Sequence, residues 1–138
     1  MPLTSPFSAI NGLKVKLKYL DQWNNRRRAI AKSYNKEMAN PKVQLQKVPD
    51  WADPVYHLFV VIPDNKEAFV KHLADNNIVA AYHYPVPCHL QKAYAHLNYK
   101  KGDFPNAERL ADNCVSLPMY AELTDEQVAH VIKTVNQF

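Results

Sequence analysis

The stretch Ile78–Leu90, IVAAYHYPVPCHL, decides how the rest of this chain is read. Ile78–Tyr82 is a short apolar run of the kind that forms a buried strand. Pro85 and Pro87 then forbid continued pairing, because neither has an N–H to give to a ladder. A core strand is therefore expected to deliver His83 and Tyr84 to its mouth and hold them in a stiff turn. Scaffold-then-loop placement of this kind is common for binding groups. On a plainer reading, Tyr84 packs, His83 caps a turn and the prolines only end a strand. The residue types alone leave both readings open.

Working outward, Val55–Ile62 (VYHLFVVI) is the strongest strand in the sequence, β-branched and aromatic throughout. Pro63-Asp64-Asn65 turns the chain, and Lys66–Asn76 reads as a helix with Phe69, Val70 and Leu73 inward. Val43–Val48 alternates apolar and polar residues, which suits a half-exposed strand. Met1–Ser8 is expected to be irregular. From about Ala9 to Ala39 apolar residues recur at Ile10, Leu13, Leu17, Leu20, Trp23, Ile30, Tyr34 and Met38. Those steps predict one long amphipathic helix, stopped by Asn40-Pro41, that overhangs its own core and packs against something further. Beyond the opening stretch, Leu90–Leu97 reads as a short helix and Pro105–Asn113 as another, with proline in its first turn. Val115–Leu117 is a short strand. Thr124 N-caps a last helix through Phe138, with Gln127 at the capping-box position. The order predicts an α+β domain: a small, mostly antiparallel sheet of three or four strands with helices on one face, preceded by the long helix.

Composition narrows the function. A chain of 138 residues with 47% hydrophobic and 22% charged residues suits one soluble domain, residues 1–138. Glycine occurs only at positions 12 and 102, which excludes a glycine-rich phosphate loop. The net charge of +4 is concentrated in Lys14, Lys16, Lys18 and Arg26–Arg28. Asp21 and interleaved apolar residues interrupt that run, so a solvated helix face is expected rather than a nucleic-acid surface. Cys88 and Cys114 are too few and too far apart for a disulfide scaffold. Neither a signal-like start nor a run of membrane-spanning length is present, and a cytoplasmic setting with no membrane partner is expected.

No constellation in these residues supplies chemistry on its own. His83, Cys88 and His89 are close, but adjacent Cys88 and His89 diverge on most backbones and lack the spacing of a zinc site. A Cys88–His83 or Cys88–His89 nucleophile pair has no evident oxyanion donors. A Schiff-base lysine needs a low-dielectric pocket, and every lysine here stands in a polar or amphipathic context. His57, within VYHLFVVI, is expected to face opposite to Tyr56 and Leu58. It is either a packing residue or, beside His83, one polar edge of a cleft.

Several segments together resemble the C-terminal domain of the DegT/DnrJ/StrS-type nucleotide-sugar aminotransferases, pyridoxal-phosphate enzymes of the aspartate aminotransferase fold type. They are Lys16–Asn35, Tyr56–Val61, the HYPVPCHLQKAY run at His83–Tyr94, Gly102–Val128 and Val131–Val135. The resemblance implies the fold-type-I small domain, and it implies that the cofactor lysine, the aspartate under the pyridine nitrogen and the phosphate-binding residues belong to a large domain whose motifs are absent here. The Asn-x-Arg segment that usually leads into the first helix is not recognisable in MPLTSPFSAIN. The chain is therefore expected to be a C-terminal, substrate-side piece: no catalytic residues, no cofactor of its own and no transamination alone, with pyridoxal phosphate expected for the full-length family.

For individual residues, the resemblance implies that His83 and Tyr84 line the site of a nucleotide-linked sugar. His57 matches a family position where support and substrate contact are not separated, and His89, Phe104 and Glu108 match positions read as structural. The implied partners are a nucleotide-linked sugar and an aminotransferase large domain or a second copy of this chain. The competing expectation is a stand-alone nucleotide-sugar-binding or accessory module, or a subunit whose long helix docks on a separate large domain.

Overall fold

The computed structural model describes residues 6–138. Helices α1 (Pro6–Leu17) and α2 (Leu20–Glu37) come first, then strands β1 (Val43–Leu45) and β2 (Phe59–Pro63), and helix α3 (Lys66–Asp75). Two 3₁₀ turns, Cys88–Leu90 and Lys92–Leu97, precede α4 (Pro105–Asn113), β3 (Val115–Leu117) and α5 (Asp125–Asn136). The sheet is antiparallel in the order β1-β2-β3, with Val43 opposite Pro63 and Phe59 opposite Leu117. The α+β reading, with a small antiparallel sheet, is the architecture observed.

Strand alternation sorts the two faces of the sheet. Phe59, Val61, Val115 and Leu117 join a buried cluster with Ile30 and Tyr34 of α2, Phe69 and Leu73 of α3, and Val128, Val131, Ile132 and Val135 of α5. Tyr34 meets Phe59 edge-on, with ring centroids 5.0 Å apart, and gives its hydroxyl proton to the Pro118 carbonyl at 3.0 Å. Burial removes solvent from that phenol and, with Tyr120 adding to it, pushes its pKa well above the ordinary tyrosine value. The opposite face carries Val60 and Ser116, which pair across β2 and β3.

The long first helix is not continuous. Lys18 and Tyr19 form a tight turn, with Tyr19 N–H bonded to Lys16 O at 3.0 Å, and the chain restarts at Leu20. Tertiary contact explains the division. In α2, Ile30 and Tyr34 are buried, whereas Leu13, Val15 and Leu17 of α1 are each more than half exposed. The apolar stripe therefore runs through both helices, but only its second half meets this chain's core. Expectations for Met1–Ser5 lie outside the described residues.

The arginines of α2 also differ from a solvated basic run. Arg26 bonds the Leu123 carbonyl at 2.6 Å and Asp125 at 2.7 Å, Arg27 bonds the Met119 carbonyl at 3.2 Å, and Arg28 bonds Asp53. They fasten α2 to the two loops that pass beside it.

Three strands differ from expectation in extent. β1 ends at Leu45 rather than Val48, and β2 begins at Phe59 rather than Val55. Tyr56 has a positive φ of 51° and His57-Leu58 bend, so backbone geometry interrupts the β-rich sequence ahead of Phe59. Ile78–Tyr82 is not a strand but a single bridge, Ala81 to Ser116. Both backbone groups of Ser116 are used there, accepting from Ala81 N–H at 3.1 Å and donating to its carbonyl at 2.8 Å. The last helix has the expected cap: Thr124 and Gln127 form a reciprocal capping box.

Candidate functional site

The Ala81–Ser116 bridge, on the edge of β3 away from β2, leads into the His83–Pro87 turn. His83 is half-buried, and its Nδ1 lies 2.9 Å from the Ser116 hydroxyl. The Cys114 thiol lies 3.7 Å from the His83 carbonyl. The His83–Tyr84 peptide is cis, and the two rings meet edge-to-face with centroids 5.2 Å apart. Tyr84 itself is largely exposed.

His83 and Tyr84 stand at one end of a groove of about 590 Å³. Its walls are mainly apolar: Val86, Tyr94, Leu97, Phe104 and Leu110 contribute, with Cys88, His89 and Cys114 among the few polar side chains. A concave, mostly apolar site with a few fixed polar groups is the usual form of a small-molecule pocket. His83 and Tyr84, expected together at the end of the Ile78–Tyr82 run, both line this groove. His57 is placed elsewhere. It is exposed on the bend before β2 and does not line the groove; among the described residues only its carbonyl is engaged, by Arg27 at 3.5 Å. The expected alternation of His57 against Tyr56 and Leu58 fails because no strand exists there.

The far wall is held by a second histidine. His89 Nε2 lies 3.0 Å from Glu108 Oε1, and both side chains are nearly enclosed. Phe104 packs on the His89 ring with centroids 4.8 Å apart, and Tyr99 meets Phe104 edge-on. Glu108 also accepts the Gly102 N–H on both oxygens, at 2.8 and 3.0 Å. That N–H reaches inward because Gly102 has a φ of 99°, a conformation that any side chain would strain. The Gly102 hydrogen bond holds the Glu108 carboxyl below its ordinary value; burial opposes this and His89 reinforces it. The three positions read as structural, His89, Phe104 and Glu108, form one clasp between the 3₁₀ turns and α4.

This division of labour leaves little room for the other chemistries. His83 turns to Ser116 and His89 to Glu108, so the two imidazoles flanking Cys88 diverge. Among the described residues no three His, Cys, Asp or Glu side chains converge. Nor does the groove fit a covalently held pyridoxal phosphate, because no lysine lines it. Lys66 alone among the lysines is half-buried, and it is committed to the Asp112 carbonyl at 2.9 Å and to the face of Tyr82. Sequence reasoning missed Ser116, whose polar side chain inside the apolar Val115-Ser116-Leu117 run was the only available signal.

Comparison with known proteins identifies the family. The model of the DegT/DnrJ/EryC1/StrS aminotransferase family matches residues 6–136, which include every segment that carried the resemblance. The chain belongs to this family. Similar to it are the erythromycin biosynthesis sensory transduction protein EryC1 of Saccharopolyspora erythraea, 42% identical over 124 residues, and the dTDP-3-amino-3,6-dideoxy-alpha-D-galactopyranose transaminase of Aneurinibacillus thermoaerophilus, 41% identical over 126. These alignments cover 89% and 91% of this chain but 34% of each relative. Among solved structures, S. venezuelae DesV in complex with a ketimine intermediate superposes with a TM-score of 0.84 at 38% identity, over 91% of this chain and 34% of that one. This family member thus spans about a third of the length of the curated relatives it matches.

Proposed function

We propose that this chain forms the substrate-side C-terminal domain of a pyridoxal-phosphate-dependent aminotransferase that acts on nucleotide-linked keto sugars in the cytoplasm. The observation that carries the reading is the groove with His83 and Tyr84 fixed at its mouth, in a chain of a family whose relatives include dTDP-amino-sugar transaminases. Imidazole and phenol offer hydrogen bonds to sugar hydroxyls or diphosphate oxygens, and the flanking prolines leave the turn little entropy to lose on binding. The groove's apolar walls suit the flatter, less polar parts of such a ligand. His57, outside the groove, would meet substrate only from the bend before β2. With no lysine in the groove, the transamination chemistry falls to a large domain, and these residues bind and orient the sugar. Amino-sugar supply for surface polysaccharide or related glycans is the corresponding role.

The exposed apolar face of α1 favours a second, compatible reading. Leu13 and Leu17, four residues apart on one side of the helix, are each more than half exposed, so an aminotransferase large domain or a second copy of this chain would cover them. A stand-alone binding or accessory module remains the competitor.

The test is an amide NMR titration of the chain with thymidine- and uridine-diphosphate sugars. Saturable shifts clustered at His83 and Tyr84, weakened roughly tenfold by His83→Ala, are expected. Shifts that map elsewhere, or an affinity unchanged in His83→Ala, would overturn the site. A folded chain that ignores every nucleotide sugar until a large domain is supplied would favour the docking subunit over the stand-alone module.

A further inference from the structure

We infer that Ser116 is a positioning residue that holds His83 in the tautomer with its proton on Nε2, so that the imidazole presents a hydrogen-bond donor to the groove. The inference rests on the reading of His83 as the group that meets substrate. Three observations carry it. Ser116 is buried, and both its backbone groups are consumed by the bridge to Ala81. Its hydroxyl has one hydrogen-bond partner among the described residues, His83 Nδ1 at 2.9 Å. Among the described residues no buried side-chain nitrogen or oxygen lacks a partner. His83 Nε2 bonds to none of these residues and is therefore not fully buried, on a ring that lines the groove.

The tautomer follows from where the hydroxyl proton can go. A serine hydroxyl carries one proton, and a buried one left without an acceptor is costly. At Ser116 the acceptor within reach is Nδ1. If the hydroxyl donates to Nδ1, that nitrogen must be the bare one, and in a neutral ring the proton then sits on Nε2. The opposite arrangement, Nδ1–H donating to the hydroxyl oxygen, strands the serine proton in the sheet. The favoured state aims an N–H at the ligand, which selects an acceptor there: a keto or diphosphate oxygen rather than an ammonium group. Cys114 beside the His83 carbonyl and the Tyr84 ring against the imidazole limit how far the ring can turn away.

The decisive measurement is the imidazole nitrogen-15 spectrum of His83 in this chain, recorded where imidazole is neutral. A free neutral ring exchanges between both tautomers. The wild type is expected to show a bare, hydrogen-bonded Nδ1 and a protonated Nε2 with little averaging, a preference on the order of fivefold over the free ring. Ser116→Ala should return the averaged pattern of a free imidazole, and Ser116→Thr, which keeps a hydroxyl, should restore the locked one. A proton found on Nδ1 in the wild type would overturn the inference, as would a spectrum unchanged in Ser116→Ala. If Ser116→Ala fails to fold, the wild-type assignment alone decides. This readout needs no ligand, so a chain that binds no nucleotide sugar would remove the function proposed above while leaving the tautomer result standing.

Discussion

Two histidines six residues apart, His83 and His89, line one groove but are held by different partners. His83 shares its Nδ1 with a neutral hydroxyl. His89 commits its Nε2 to a nearly enclosed carboxylate that is itself held by a backbone N–H, under an aromatic lid. The difference teaches how to sort a histidine-rich motif without a ligand. Both rings bond the described residues through a single nitrogen, so the partner sorts them: a carboxylate that is itself held by a backbone N–H ties His89 into the wall, whereas a neutral hydroxyl orients His83 at the groove.

The largest expected effect lies on the closed side. His89→Ala removes the ring under Phe104 and the imidazole bonded to Glu108, and should cost about 2–3 kcal/mol in urea unfolding. His83→Ala should cost about 1 kcal/mol, mainly through the stranded Ser116 hydroxyl. Equal costs for the two would break the comparison.

Tyr34→Phe provides a core reference that touches neither histidine. It should cost about 1 kcal/mol at neutral pH by leaving the Pro118 carbonyl unpaired. It should also flatten the alkaline limb of stability. A phenol whose folded pKa is raised contributes stability that is whole below its ordinary value of 10.0 and is lost as pH rises beyond it. Wild-type protein should therefore weaken above pH 10 more steeply than the phenylalanine variant, as followed by circular dichroism at fixed urea.

The smallest effect is a slope. Glu108 is depressed, so its contribution is present above the ordinary carboxylate value of 4.5 and fades as pH falls below it. Glu108→Gln should lose that acid-side decline while leaving His83 untouched. A decline that persists in the variant would place the acid sensitivity elsewhere than in the Glu108 clasp.

Legibility in the sequence tracked how local the cause was. The Thr124–Gln127 capping box, the proline-led α4 and the β3 run were readable because each depends on neighbours within a few positions. The joined first helix was not, because Leu13, Leu17 and Leu20 continue the stripe of Ile30 and Tyr34 in periodicity, and only the core distinguishes them. VYHLFVVI misled in a similar way: its residue types favour a strand, but the positive φ at Tyr56 ends the pleat before Phe59. For the site, the His-Tyr-Pro turn was visible through its prolines. Ser116 was not, since a single serine between apolar residues says nothing of the ring 33 positions earlier that it meets.

The arginines of α2 carry one further implication, for timing. Arg26 and Arg27 reach carbonyls 97 and 92 residues downstream, at Leu123 and Met119. No early, local event can complete those bonds, because the chain must first close a loop of more than ninety residues, with the entropy that entails. The segment that looks most ready to be a helix is thus among the last to be fixed in place, and the α2 helix is a keystone set from the far end of the arch.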